Sequence, residues 1–517
     1  MSTNKSITKS AGIIGIATLL SRILGFVRDM VIARMFGVYV YAQAFVIAFK
    51  IPNLFRDFVG EGAVNSALVP VFTEYKVKHT QKEFWELANV VLNLLLVTLM
   101  AITLLGMLFS PIIVRLIAPG FIASPEKLEA TVKLTRILFP YILLISLAAY
   151  SMGLLNTLKH FTIPAFAPCF LNISLIVFAM FFGEGIKGLA LGVLVGGVLQ
   201  LAIQVPVLYR KGFRLRLFRS FKHPAAGLIG KLMIPRILSS SIYQLNNFID
   251  SIFGSLSWIV GEGAVAVLYF SYRLVLFPLG IFSNSLSQAI LPAFSAQALD
   301  NDRSNLKHTL SWALRATFFV MLPASAGFMV LAYPLVYTLF GGGRFDLNSV
   351  YLTSNTLLFY SIGLFAYGGT KILQSCFFAM KDTRTPAKIS ALALVVNIVL
   401  NALFMFPLKV AGLALATSLS GINSFIILFI LLKKRLGGIN EGDIVNSFLR
   451  ILLASIGMGL VSWFLYSTLG ISECSVISKI ISLGMLIAFS IVAYFGFCFI
   501  LKVREMRELY DWLLRKK

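Results

Sequence analysis

Val90–Phe109 reads VVLNLLLVTLMAITLLGMLF, twenty residues without a charge. A bilayer core takes about 20 apolar residues of α-helix, so this stretch alone spans one. Leu171–Phe182 and Ile451–Leu465 are further continuous apolar runs. Hydrophobic residues make up 58% of the 517, and mean hydropathy is +0.88. A soluble domain is only about 45–50% apolar. A transmembrane β-barrel would alternate polar and apolar residues in segments of about ten, and these runs do not alternate. The fold class is therefore an all-α polytopic membrane protein. No cleavable leader is expected, because the first apolar helix carries Arg22 and Arg28 and no small-residue cleavage site follows it.

Apolar runs and polar breaks divide the chain into about fourteen spans. They lie near 10–36, 38–73, 84–110, 130–157, 162–183, 187–210, 227–259, 263–296, 308–340, 350–379, 385–406, 411–435, 444–470 and 476–502. The net charge of +24 tests this count. With the N-terminus in the cytoplasm and sides alternating, Lys76, Lys78, Lys82, Lys159, the segment Arg210–Lys231, Lys381, Arg384, Lys433, Lys434, Arg435 and the basic tail all fall inside. The outside loops hold far fewer basic residues, as the positive-inside rule requires. Both termini are then cytoplasmic. The charge is an orientation signal, and no nucleic-acid partner is implied. Arg236, Arg315, Lys371 and Arg450 lie near cytoplasmic ends and are expected to snorkel.

The chain repeats itself. Ala67–Phe72 (ALVPVF) matches Ala289–Phe294 (AILPAF), an offset of 289 − 67 = 222. Pro164-Ala165 matches Pro386-Ala387, and Gly188–Leu191 (GLAL) matches Gly412–Leu415. Two six-helix lobes in the same orientation follow, plus two C-terminal helices. The divisions are 1–210 for the first lobe, 211–231 for a basic cytoplasmic linker, 232–435 for the second lobe, and 436–517 for the last two helices and tail. Paired lobes around a cavity are a transporter architecture.

Charges inside spans mark the candidate site. The first span carries Arg22, Arg28, Asp29 and Arg34, and the second carries Lys50, Arg56, Asp57 and Glu61. A charge near the bilayer centre costs about 2.5–3.5 kcal/mol on the insertion scale, so such residues face protein or water. Five cations outnumber three acids, and the surplus calls for an external anion. The planar arginine fork suits a phosphate. Arg22 and Arg28 converge on one ligand if the helix bends, for which Gly25 and, in the next helix, Pro52 are candidates, or if the site is wide. At the repeat offset, Arg28 corresponds to Asp250, which shares a helix face with Asn246. That pair is a candidate site for Na⁺ or a proton. Arg273 falls opposite Lys50 in the repeat and completes the cavity from the second lobe. Asn172, Asn397 and Asn401 read as hydrogen-bonding residues between helices.

Catalytic chemistry finds little support. Cys169, Cys376, Cys474 and Cys498 are far apart and read as small apolar helix residues. The four histidines fall in polar loops, without HExxH spacing. No GxxxxGK[ST] loop is present, so no nucleotide cofactor is expected, and an ion gradient or the membrane potential is the natural energy source.

Ser21–Asp29 (SRILGFVRD), Ala48–Arg56 (AFKIPNLFR), Gly60–Ala63 (GEGA), Phe139–Ile142 (FPYI), Ile163–Pro168 and Lys381–Pro386 (KDTRTP) resemble the MurJ (MviN) lipid II flippases, in order along nearly the whole chain. The resemblance implies the fold of the multidrug/oligosaccharidyl-lipid/polysaccharide exporter superfamily. It implies a non-enzymatic flippase moving an undecaprenyl-pyrophosphate-linked peptidoglycan precursor to the outer leaflet of the bacterial inner membrane. It implies substrate-binding roles for Arg22, Arg28, Lys50, Asn53, Arg56, Glu61 and Arg273. Gln43, Tyr272 and Leu276 stand where the family often has acids. The alternative is a flippase for another polyprenyl-pyrophosphate-linked oligosaccharide of the O-antigen type. Other cell-wall synthesis proteins are further candidate partners, and a scaffold for them would survive loss of Arg28.

Overall fold

The computed structural model describes residues 2–56, 68–182, 185–217, 221, 223–300, 302–469 and 476–508; side chains of 2–11, 232, 234–247, 469, 476 and 477 are outside that description. Every regular element among the described residues is helical. Nine helices among them are long and apolar enough to cross a membrane, or ten counting one pair bent by 44° at Gly363. The chain groups into two compact units: Met1–Ser257 with Gly343–Phe345, and Trp258–Gly342 with Asp346–Lys517.

The first unit begins with α1 (Ser2–Phe36) and α2 (Val40–Arg56). The short α3 (Val69–Lys78) leads to α4 (Gln81–Ile117), a 3-10 turn (Pro119–Ala123) and α5 (Pro125–Thr157). Next come α6 (Thr162–Phe182), α7 (Ile186–Ala202), α8 (Val205–Arg210) and α9 (Pro224–Ser255). α4 starts on a capping box: the Glu83 N–H donates to Thr80 Oγ1 (3.3 Å), and the Thr80 N–H donates back to the Glu83 carboxylate (2.9 Å). α1 packs on α6, α2 on α5, α5 on both α4 and α7, and α9 on α4 and the 3-10 turn. Phe72, Phe84, Leu87, Tyr150, Leu154 and Leu208 form a buried core where α3, α4, α5 and α8 meet.

The second unit holds α10 (Ser257–Val260), α11 (Ala264–Pro278), a π-helical turn (Leu279–Ser283), α12 (Asn284–Gln297) and α13 (Ser304–Leu339). α14 (Leu347–Ile362), α15 (Leu364–Ala379), α16 (Arg384–Leu436), α17 (Glu441–Leu469) and α18 (Val476–Ile500) follow. α16 has 53 residues, about 80 Å at 1.5 Å per residue, which is two crossings. It reverses at Lys409, which has φ +52° and ψ −134°, a left-handed strain that costs about 1–3 kcal/mol. Gly412 lets the two arms meet, since a Cβ there would lie 2.2 Å from the Phe404 carbonyl oxygen.

The outer faces are apolar. Val395, Val399, Leu403 and Phe406 form an exposed stripe on α16, and Leu104, Leu108, Ile112 and Leu116 form one on α4. Asn397 and Asn401 lie buried instead, bonded to one another (3.0 Å), with Asn397 also donating to Thr417 (3.2 Å). Polar inside and apolar outside is the arrangement a lipid solvent selects.

The repeat recurs in backbone geometry. Lys159 ends α5 with φ +58°, its N–H on the Asn156 carbonyl and the His160 N–H on the Leu155 carbonyl. Lys381 ends α15 with φ +60°, its N–H on Phe378 and the Asp382 N–H on Phe377. These are matching Schellman turns, 381 − 159 = 222 residues apart.

Asp382 secures the start of α16. It accepts from the Thr385 N–H (3.0 Å) and Thr385 hydroxyl (2.7 Å), and pairs with Arg435 at the far end of the same helix. The Thr385 N–H foremost, then its hydroxyl and Arg435, hold this carboxyl down at about 2 from an ordinary 3.8. A depressed carboxyl contributes stability above its unfolded pKa and loses it as pH falls through the folded one. The thermal midpoint in detergent should therefore hold from pH 7 to 5 and drop between about pH 4 and 2. Asp382→Asn should remove this component of the drop; an unchanged profile would contradict the assignment.

The sequence reading is corrected in detail. α1 is a continuous helix and shows no break at Gly25. The expected span 38–73 starts as α2, which ends at Arg56, while residues 57–67 lie outside the description. Arg315 does not snorkel: it is buried and paired with Glu505 at 2.7 Å. Three of the cysteines, Cys169, Cys376 and Cys498, are buried free thiols, and Cys474 lies outside the described residues.

Candidate functional site

Ala17, Ser21, Gly25 and Arg28 recur on α1 at helical spacing and face α6. Cys169 Sγ donates to the Ala17 carbonyl at 3.9 Å, and Asn172 Nδ2 donates to the Ser21 carbonyl at 3.0 Å. Gly25 faces the Asn172 amide, and a Cβ there would sit 3.6 Å from it, an ordinary van der Waals contact. One turn further, Arg28 Nη1 donates to Asn172 Oδ1 at 3.0 Å. Its Nε and Nη2 both donate to Asp29 Oδ1, at 3.0 and 2.7 Å. Arg28 is 7% exposed and Asp29 2%. A buried guanidinium thus stands in a fork of oxygen acceptors.

Lys50 reaches from α2 to α9. Its Nζ hydrogen-bonds Ser251 Oγ and lies 6.0 Å from the Phe248 ring centroid, and its charge interacts with the Asp250 carboxylate. Ser251 is buried. α9 is fixed again one turn on, where the Gly120 N–H donates to Ser255 Oγ at 2.9 Å. A Cβ on Gly120 would lie 1.9 Å from the Ser255 carbonyl oxygen, so only glycine fits that approach.

Arg56, the last residue of α2, is exposed. Arg28 and Arg56 both act electrostatically on the buried Tyr141 hydroxyl of α5. Asn53 is half-buried, and its Oδ1 has no hydrogen-bond partner among the described residues. Arg22 is exposed on α1, six residues before Arg28, and is not drawn into the Arg28–Asn172 cluster. Glu61 and Asp57 lie outside the described residues, as does the Asn246 side chain. In the second unit, Arg273 donates to the Tyr269 hydroxyl at 2.8 Å with its guanidinium 4.8 Å from that ring. Tyr272 tilts against Tyr360 at 5.3 Å.

Sequence reasoning missed the roles of Asn172, Tyr141 and Ser251. Asn172 was read as a hydrogen-bonding residue between helices, which it is, but its partnership with Arg28 was not foreseen. Asp29 pairs with Arg28 in this state. Among the described residues no group of three or more His, Cys, Asp or Glu gathers as a metal site.

The family profile described as "Lipid II flippase MurJ" matches residues 32–484. The chain belongs to the MurJ lipid II flippase family. It is 35% identical to the probable lipid II flippase MurJ of Buchnera aphidicola subsp. Schizaphis graminum over 520 residues, covering 99% of this chain and all of that one (100%). It is 34% identical to the lipid II flippase MurJ of Burkholderia cenocepacia, over 86% of each chain. A solved MurJ structure in an inward closed conformation superposes with a TM-score of 0.78 at 28% identity, covering 96% of this chain and 99% of that one. An inward-facing multidrug transporter of the MATE family and MOP superfamily gives 0.65 at 16% identity, covering 80% and 94%, a likeness of fold. Lys50, Asn53, Arg56, Asp250 and Arg273 lie within the profile match. Arg22 and Arg28 precede it, where the Schizaphis alignment, spanning 99% of the chain, takes over. A MurJ member is an integral membrane transporter, not an enzyme.

Proposed function

We propose that this chain moves lipid II from the cytoplasmic to the outer leaflet of the bacterial inner membrane by alternating access. The observation that carries the reading is Arg28, a guanidinium 7% exposed inside a bundle with an apolar outer face, donating to Asp29 and Asn172 oxygens. A buried cation of this kind suits a diphosphate and repels a cationic drug. Arg22, Arg28, Lys50, Asn53, Arg56, Glu61 and Arg273 are the proposed substrate contacts. The proposed topology has fourteen crossings with both termini in the cytoplasm. Its two lobes are 1–210 and 232–435, joined by the basic linker 211–231 and followed by the last two helices in 436–517. Asp250 with Asn246 is the proposed Na⁺ or proton site; full ion dependence in Asp250→Asn would exclude it.

The binding test uses purified protein in nanodiscs and lipid II. A hydrogen bond to a charged group is worth about 1.5–3 kcal/mol. Lys50→Ala should therefore raise the Kd at least about tenfold. Binding as tight as wild type would remove Lys50 from the site.

A further inference from the structure

By the repeat, α9 opens the second half of the chain: α1 spans Ser2–Phe36 and α9 Pro224–Ser255, starting 224 − 2 = 222 residues later. By its contacts, α9 groups with the first unit. Its N-terminal part packs into the first unit's core through Ala225 and Ile229, and near its C-terminal end two polar side chains add to that attachment. Ser255 is seated on the Gly120 backbone, a neutral contact that a ligand does not compete for. Ser251, one turn earlier, is seated on Lys50, a proposed ligand of the substrate.

We propose that Asp250 and Ser251 of α9 occupy Lys50 as stand-ins for a substrate phosphate, so that substrate binding unlatches this part of α9 from α2. The inference rests on the proposed role of Lys50 in binding the pyrophosphate. The chemistry is an exchange of like for like. Lys50 holds a hydroxyl oxygen and faces a carboxylate, and a phosphate supplies both an oxygen acceptor and a negative charge. The Phe248 ring, 6.0 Å from Nζ, holds the ammonium at that station. Arg28 is likewise filled by Asp29 and Asn172, but these lie on α1 and α6, not on α9. The Lys50–Ser251 contact joins a proposed substrate cation to α9. Release pivots at Ser255, which stays on Gly120. The same exchange frees Asp250 for the cation proposed above.

A closed latch lowers apparent affinity by the fraction of open molecules, so a latch shut about nine-tenths of the time costs about tenfold. The test measures undecaprenyl pyrophosphate binding to the full chain in nanodiscs, for wild type, Lys50→Ala, Asp250→Asn and Ser251→Ala. Asp250→Asn should tighten binding by up to about tenfold, and Ser251→Ala, which leaves the charge unchanged, should tighten it by a smaller factor. Tightening by Asp250→Asn alone would reduce Asp250 to a background charge and overturn the latch. If Lys50→Ala binds like wild type, the reading of Lys50 as a phosphate ligand falls, and the latch with it. A second measurement follows Ser251→Cys, in a chain without other cysteines, with a maleimide. Saturating undecaprenyl pyrophosphate should speed labelling several-fold; an unchanged rate would overturn unlatching even where binding is intact.

Discussion

Cells whose only copy of this chain carries Arg28→Ala should lose outward display of lipid II altogether. The substitution removes the fork that the site is built around and strands two acceptors. Asp29, 2% exposed, loses its counter-ion, and Asn172 Oδ1 loses its donor. Breaking a buried pair from one side costs about 3–5 kcal/mol, so the variant should also be less stable. Arg28→Ala with Asp29→Ala separates the two effects, because it removes the stranded carboxylate. The double variant should regain most of the thermal stability and membrane abundance and none of the transport. Transport by the double variant would show that Arg28 serves folding alone. Arg28→Lys keeps the charge and loses the fork, and should restore transport only weakly.

Glu505→Ala should strongly destabilise the second unit. Arg315 of α13, 3% exposed, has its Nη1 2.7 Å from Glu505 Oε1, and the Ser447 hydroxyl of α17 donates to the same oxygen at 2.9 Å. Glu508 stands 3.7 Å from the other Arg315 nitrogen. One buried carboxylate thus ties α13, α17 and the segment after α18 together. Its removal leaves a buried guanidinium short of its main counter-charge, at a cost of about 3–5 kcal/mol. Replacing both partners, Arg315→Met with Glu505→Leu, should be near neutral, since packed apolar groups stand in for a buried pair at little cost. Thermal unfolding in detergent distinguishes the two. A Glu505→Ala midpoint equal to wild type would contradict the pairing.

How much was legible in the sequence follows from what each feature depends on. Span positions depend on local hydropathy, and 130–157, 162–183 and 444–470 lie within a few residues of α5, α6 and α17. The repeat depends on turn residues, and Lys159 and Lys381 show it in backbone angles. Interruptions were less legible, because lipid-facing composition hides them: the break between α7 and α8 and the bend at Gly363 carry little hydropathy signal. Arg315 was misread because its partner is 190 residues away. For Arg28, the acidic partner was its own neighbour, while the amide partner lay 144 residues on, at a residue read as bonding between helices but not to Arg28. Lys50 was legible as a cation inside a span, but its attachment to α9 was not, since nothing local in Ser251 distinguishes it from any serine that bonds its own helix.

The central claim is outward movement of lipid II through this chain. The direct measurement is the fraction of lipid II cleaved by an externally added enzyme, in cells depleted of the protein and lacking any second flippase. The account predicts that cleavage collapses on depletion and returns with wild type but not with Arg28→Ala. Undiminished cleavage in the depleted cells would contradict it, and the chain would have to move a different lipid-linked sugar or hold other wall-synthesis proteins.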